Sequence, residues 1–130
     1  MQKGDRKQMS DFKREINLWN YDAETDILFF RDNRIKYHSS ILLGDLIVEL
    51  DETETPMGME LLNASVNFRI SKTVLRNIKK ISAEVDISKE EIKVKMKIFV
   101  ISRNARIEKV STAFGINDIN LQPVQTAMVY

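Results

Sequence analysis

GDLIVELDETETPMGMELLNAS, residues 44–65, decides how the first half of this chain is read. Leu46, Val48 and Leu50 alternate with Ile47 and Glu49, the period-two pattern of a half-buried strand. Gly44-Asp45 before it has the composition of a tight turn. "DETETP" follows as an acidic loop, in which Pro56, lacking an N–H, interrupts strand pairing. Met57–Leu62 then resumes the apolar run. The stretch reads as a hairpin with a charged tip, which is either scaffold or a site.

Working outward, Ile16–Tyr21 carries bulk on both faces, and "DAETD" after it has the Asp-rich chemistry of a turn. Ile27–Arg31 is a short apolar run, Asp32-Asn33 a turn signal, and Arg34–Ser40 a further strand with Ile35 and Tyr37 on one face. With Leu46–Leu50 and Met57–Leu62 this makes five short strands at intervals of about ten residues, the pattern of an antiparallel meander. The period then changes. Ile70, Val74, Ile78 and Ile81 recur at three- and four-residue spacing, Lys72, Arg76, Lys79 and Lys80 take the other side, and Ser71 stands where an N-cap belongs. One amphipathic helix is predicted within 66–82. Alternation returns at Ala83–Ile87 and Ile92–Val100, joined by "SKEE", and continues past an Arg103-Asn104 turn to Arg106–Ala113 and the apolar segment Pro123–Tyr130.

The predicted class is α+β, dominated by antiparallel sheet. Residues 1–11 are expected to form a mobile arm and 12–130 one β-rich domain: the meander over 12–65, the helix over 66–82, and a second β-rich half over 83–130. Leu28, Phe30, Val48, Leu61, Ile78, Val94 and Ile98 are the expected core.

At 130 residues the chain has the size of one domain and is long enough to bury a substantial core. It contains no cysteine, which removes disulfides, thiolate metal sites and a cysteine nucleophile. No apolar run approaches the roughly 18 residues of a membrane span. The polar, charged N-terminus reads as an arm rather than a signal peptide, so a cytoplasmic location is expected. Net charge is only +1, but it is unevenly spread. Residues 15–65 carry eleven acids against three bases, and residues 69–109 twelve bases against five acids.

"YDAETDILFF" (21–30), "GDLIVELDE" (44–52) and "GMELLNAS" (58–65) together resemble the family called domain of unknown function 2283. Tyr21, Asp22, Asp26, Leu28, Gly58, Glu60, Leu62, Ala64 and Ser65 carry the likeness. Phe29 replaces the family's usual Tyr, Glu49 its Asp, and "ETETP" its glycine-bearing turn. The resemblance implies a compact β-meander over about residues 21–65. It transfers no catalytic residue, because the family has no established activity.

The residues themselves assign no catalytic group, cofactor or metal. His38 is the sole histidine and reads as polar strand surface, with no nucleophile and orienting group in its pattern. "DETETPMGMELL" opens like a calcium loop, yet it has Pro56 where the bend needs glycine and Leu62 where the loop needs glutamate. The four glycines, at 4, 44, 58 and 115, build no phosphate-cradling loop. The acidic tip therefore reads as scaffold.

Lys93, Lys95 and Lys97 fall on one face of a strand and, with Arg103 and Arg106, are the candidate anion-binding residues. Against that stand the balanced net charge and the single aromatic, Phe99, within 69–109. Strand edges that must pair or close, bulk on both faces of 16–21 and 27–30, and complementary charge between the halves favour association. The predicted function is a non-enzymatic, self-associating interaction module, a homodimer or larger, with Val124, Met128, Val129 and Tyr130 as candidate contacts. The alternative is nucleic-acid or polyanion binding through 69–109. A metal-assisted enzyme using the acidic cluster of 22–60 comes third.

Overall fold

The computed structural model describes residues 11–130 as ten strands and two short helices. Strand β1 (Asp11–Glu15) precedes β2 (Leu18–Asp22), β3 (Ile27–Arg31), β4 (Ser39–Leu43), β5 (Leu46–Leu50) and β6 (Pro56–Leu61). Helices α1 (Ala64–Phe68) and α2 (Lys72–Leu75) lead to β7 (Ile78–Ile87), β8 (Glu91–Ser102), β9 (Ala105–Ile116) and β10 (Val124–Val129). One sheet, in the order β2-β3-β6-β5-β4, is antiparallel. The other, β1-β10-β7-β8-β9, is mixed, because β1 runs parallel to β10. The α+β class dominated by antiparallel pairing is thus observed. The arm expected at 1–11 lies outside the described residues except for Asp11, which opens β1.

The inward faces of both sheets feed one core. Leu28, Phe30, Val48 and Leu61 from the first sheet and Ile78, Val94 and Ile98 from the second are all buried in it, as expected. Phe68 of α1 and Leu75 of α2 complete it.

Three local expectations give way to different geometry. The first sheet is not a sequential meander, since β6 inserts between β3 and β5 and leaves β4 at the edge. The reason lies in the side chains. Five of six β6 residues are buried, so this strand is apolar enough for a central place, whereas β4 is half polar and exposed. Second, the strand expected at 34–40 starts only at Ser39. Residues 32–35 are held as a turn instead: the Asp32 carboxylate accepts from Arg34 N–H at 3.1 Å and Nε at 2.7 Å, and the Asp32 carbonyl accepts from Ile35 N–H at 3.2 Å.

Third, the single helix becomes two helices and a strand. Ser71 does cap, its Oγ accepting from Val74 N–H at 3.2 Å, but the helix ends at Leu75. Asn63 and Arg69 stand in the left-handed region on either side of α1 and confine it. Ile78 and Ile81 belong to β7. Their three-residue spacing mimics a helix because the strand register shifts between Ile78 and Lys80, which returns both to the inner face.

Candidate functional site

The motif residues of the first sheet converge on one carboxylate. Asp26 ends the β2–β3 turn at a φ of 58° and is buried. It accepts from Tyr21 Oη at 2.6 Å, from Ser65 Oγ at 2.7 Å and from Ser65 N–H at 3.0 Å, while its carbonyl accepts from Ala64 N–H at 3.0 Å. Burial works against its charge, but the bonds from Tyr21 and Ser65 outweigh it and hold the carboxyl below the usual range. Burial first, and then the hydrogen bond to Asp26, raise the Tyr21 hydroxyl. A negative charge capping the first turn of α1 is a structural clamp, and both carboxylate oxygens of Asp26 accept hydrogen bonds within it.

The other buried acids are likewise engaged. Asp51, at the root of the acidic tip, accepts from Arg14 Nη2 at 2.8 Å, from Thr53 N–H at 2.8 Å and Oγ1 at 2.6 Å, and from Thr55 N–H at 3.1 Å. Burial opposes its ionisation; the bonds from Thr53 and Arg14 overcome that and bring it down to about 2. Glu49 is paired bidentately with Arg31. Glu52 and Glu54 are exposed. Among the described residues, no group of three or more His, Cys, Asp or Glu is placed to hold a metal ion, and His38 is exposed at a loop end.

Lys93, Lys95 and Lys97 do share the outer face of β8, but carboxylates answer them. Lys93 pairs with Glu91 at 3.0 Å and Lys97 with Glu108 at 3.1 Å, while Asp86 and Glu84 of β7 stand opposite Lys93 and Lys95. Arg103 lies in the β8–β9 turn, and Arg106 sits over the Phe99 ring at 4.2 Å. The five candidate cations are on the β8–β9 hairpin, which carries Glu91 and Glu108, with Glu84 and Asp86 on the adjoining β7.

The most exposed apolar feature is on that same hairpin. Strand β9 pairs with β8 along its whole length through a two-residue turn, Arg103-Asn104, both of whose residues take the positive φ that such a turn demands. On its other side β9 has no strand neighbour among the described residues. Ser102 and Ala105 close the turn, so the odd-numbered residues of β9 bond to β8, and Asn117 N–H continues that parity by donating to Glu90 O at 2.9 Å. The N–H and C=O groups of Arg106, Glu108, Val110, Thr112, Phe114 and Ile116 therefore point to the open edge. Val110, Phe114 and Ile116 are 43%, 75% and 76% exposed. The neighbouring edge on this flank of the molecule, β4, adds exposed Leu42.

The expected association segment lies inside a sheet. Strand β10 is held between β1 and β7, with Met128 fully buried and Val124 and Val129 partly so. Of the four candidate contacts only Tyr130 is exposed, and its ring meets Trp19 edge-on at 6.1 Å. The segment is tied into its own sheet.

Comparison with known proteins agrees with the motif. Residues 19–65 match the family described as "Protein of unknown function (DUF2283)". A Methanosarcina mazei protein named "Putative hypoxanthine phosphoribosyltransferase" is 40% identical over 111 residues, 85% of this chain and 89% of that one. The chain belongs to this DUF2283 family. An uncharacterized protein of Methanocaldococcus jannaschii is 33% identical over 104 residues, 79% of this chain and 90% of its own length. No solved structure matches significantly.

The DUF2283 segment runs from β2 to the first residues of α1, and it ends at Ser65, the residue that Asp26 caps. Its shared Tyr21, Asp26, Ala64 and Ser65 are explained by that clamp. Gly58 is explained by the ion pair above it: a Cβ there would lie 2.5 Å from Arg31 Cβ and 2.6 Å from Glu49 Oε1. The open edge of β9 lies outside the DUF2283 segment. Among the described residues, no helix is long and apolar enough to cross a membrane.

Proposed function

We propose that this DUF2283 protein is a self-associating β-rich interaction module that works through the open edge of β9 rather than through catalysis. The observation that carries the reading is a twelve-residue edge strand whose outer backbone groups meet no other strand among the described residues, with three exposed large apolar side chains. Edge strands that must stay solitary are normally short, bulged, or guarded by proline or inward-pointing charge. Strand β9 is long, unbulged and free of proline, and Lys109 is its one charge on the inner face. An open edge of this kind gains main-chain hydrogen bonds and apolar burial when another strand is added.

The transferase name of the Methanosarcina relative is not carried over. Gly44 forms a hairpin turn, Gly58 lies beneath Arg31, and Gly115 faces Leu43. None stands in a loop that leads into a helix N-terminus, the arrangement that receives a pyrophosphate. Asp26, Asp32, Glu49 and Asp51 are all committed to caps or ion pairs. Binding of nucleic acid by the lysine row has weaker support, since its neighbouring acids neutralise it.

Light scattering at high micromolar concentration tests the reading, with a dimer or larger species expected. Phe114→Lys adds charge at the edge. Thr112→Pro removes an edge-facing N–H while leaving the bonds to β8 intact. Both variants should keep the wild-type far-ultraviolet dichroism and become monomeric. A monomeric wild-type protein overturns the proposal.

A further inference from the structure

Resting on that reading, we propose that the partner is a second copy of this chain, joined β9 to β9 antiparallel about a two-fold axis through Val110. The two five-stranded sheets then continue into one another. The argument is one of register. A two-fold pairing about a residue of β9 sets each position opposite another of the same parity, so edge-facing groups meet edge-facing groups and outer side chains meet outer side chains.

Charge and length choose among these registers. An axis at Glu108 or Lys109 sets like charges directly opposite each other, which destabilises a cross-strand pair. An axis at Thr112 leaves Ala105–Ile107 unpaired and puts Glu108 against Ile116. An axis at Ser111 puts the Glu108 carboxylate against Phe114, whose ring face repels an anion. The axis at Val110 opposes no like charges, keeps Glu108 away from Phe114, and leaves only Ile116 of β9 beyond the paired stretch. Val110 meets its own copy, Glu108 faces Thr112, and Arg106 faces Phe114 of the second copy. On the inner face Lys109 meets Ser111 and Ile107 meets Ala113. Arg106 already covers one aromatic ring, Phe99, at 4.2 Å, and a second ring brought to its open flank adds a further cation–π contact. The 75%-exposed Phe114 is the side chain with most to gain.

The absence of cysteine from the chain makes the register directly readable. Single substitutions Val110→Cys, Ser111→Cys and Thr112→Cys, each on the full chain, are oxidised and run on a non-reducing gel. With the axis at Val110, the Cα atoms of the two introduced cysteines are about 5.5 Å apart, within disulfide reach. At 111 and 112 they are offset along the strands to beyond about 7 Å. The expected result is that most of the Val110→Cys protein migrates at twice the chain mass and the other two variants stay single. Crosslinking at 111 or 112 but not at 110 overturns the register while leaving association intact. No crosslink at any of the three positions, in variants that light scattering shows to be dimers, overturns β9 pairing about Val110. A wild-type monomer in light scattering overturns the underlying reading itself.

Discussion

Arg31 and Glu49 meet over Gly58: the guanidinium of one strand crosses the whole width of β6 to reach the carboxylate of another, at 2.9 and 3.0 Å. The glycine is what lets the side chains lie flat on the sheet. Gly58→Ala places a methyl 2.5 Å from Arg31 Cβ, an atom fixed by the backbone and unable to step aside cheaply. Overpacking of this kind costs about 1–3 kcal/mol, and prising the pair apart leaves Glu49, whose side chain is 10% exposed, without its partner. The urea midpoint of Gly58→Ala should fall clearly below wild type. A midpoint equal to wild type would show that the arginine has another path.

The Asp26 clamp predicts a graded series. Tyr21→Phe removes one donor to a charged acceptor and should cost about 1–3 kcal/mol. Asp26→Asn keeps a residue tolerant of the positive φ but loses the charge at the α1 N-terminus and one acceptor oxygen. Asp26→Ala should be the most harmful, because it orphans Tyr21 Oη, Ser65 Oγ and Ser65 N–H together and forces alanine to a φ of 58°. Chemical denaturation should rank the three in that order, and equal midpoints for Asp26→Ala and wild type would dismiss the clamp.

Asp51 predicts a pH dependence of definite sign. Its folded-state pKa, about 2, lies below its ordinary value of 3.8. The stability it contributes is therefore fully present well above pH 4 and is lost as pH falls toward 2. A shift of this size corresponds to about 2 kcal/mol. Asp26 and Asp32 are also lowered, so wild type should weaken in acid through all three. Comparison isolates Asp51: the gap in urea midpoint between wild type and Asp51→Asn should be widest near pH 6 and narrow below pH 3. A gap independent of pH would mean that the charge of Asp51 does not matter.

The strands were legible where alternation met a recognisable turn. Leu46–Leu50 after Gly44-Asp45, and the β8–β9 hairpin about Arg103-Asn104, stand where periodicity puts them. What period cannot show is which strand lies beside which. The apolar character of Met57 and Met59 hinted at a central β6, but its insertion between β3 and β5 depends on contacts across the sheet. The same holds for the site. Strand β9 was readable as a strand, whereas its open edge follows from where the chain goes afterwards. Asp26 and Ser65 are 39 positions apart, and no local pattern joins them. Gly58 did carry a usable signal, since an isolated glycine within a strand marks a close approach by something else. Ile78 and Ile81 misled because a bulge makes three-residue spacing serve a strand.

The last prediction concerns the C-terminal strand. Its apolar end, VQTAMVY, invites the idea that it docks on another copy. In the fold it is the second strand of five, antiparallel to β7 from Val124↔Ile87 to Val129↔Ser82 and parallel to β1 from Asp11↔Gln125 to Glu15↔Val129. Ending the chain at Gln122 would strip both neighbours of their ladder, leave β1 with no partner, and remove fully buried Met128 from the core. Loss of a single large core side chain already costs about 2–5 kcal/mol, against a typical total stability of 5–15 kcal/mol for a domain. The truncated protein should therefore fail to fold, with no cooperative transition in urea. By contrast, Tyr130→Ala, which removes only the exposed ring set edge-on against Trp19, should fold and associate as wild type does. A truncated chain that unfolds cooperatively at the wild-type midpoint would show that β10 is dispensable to the sheet. Loss of association in Tyr130→Ala would move the interface away from β9 and back to the chain terminus.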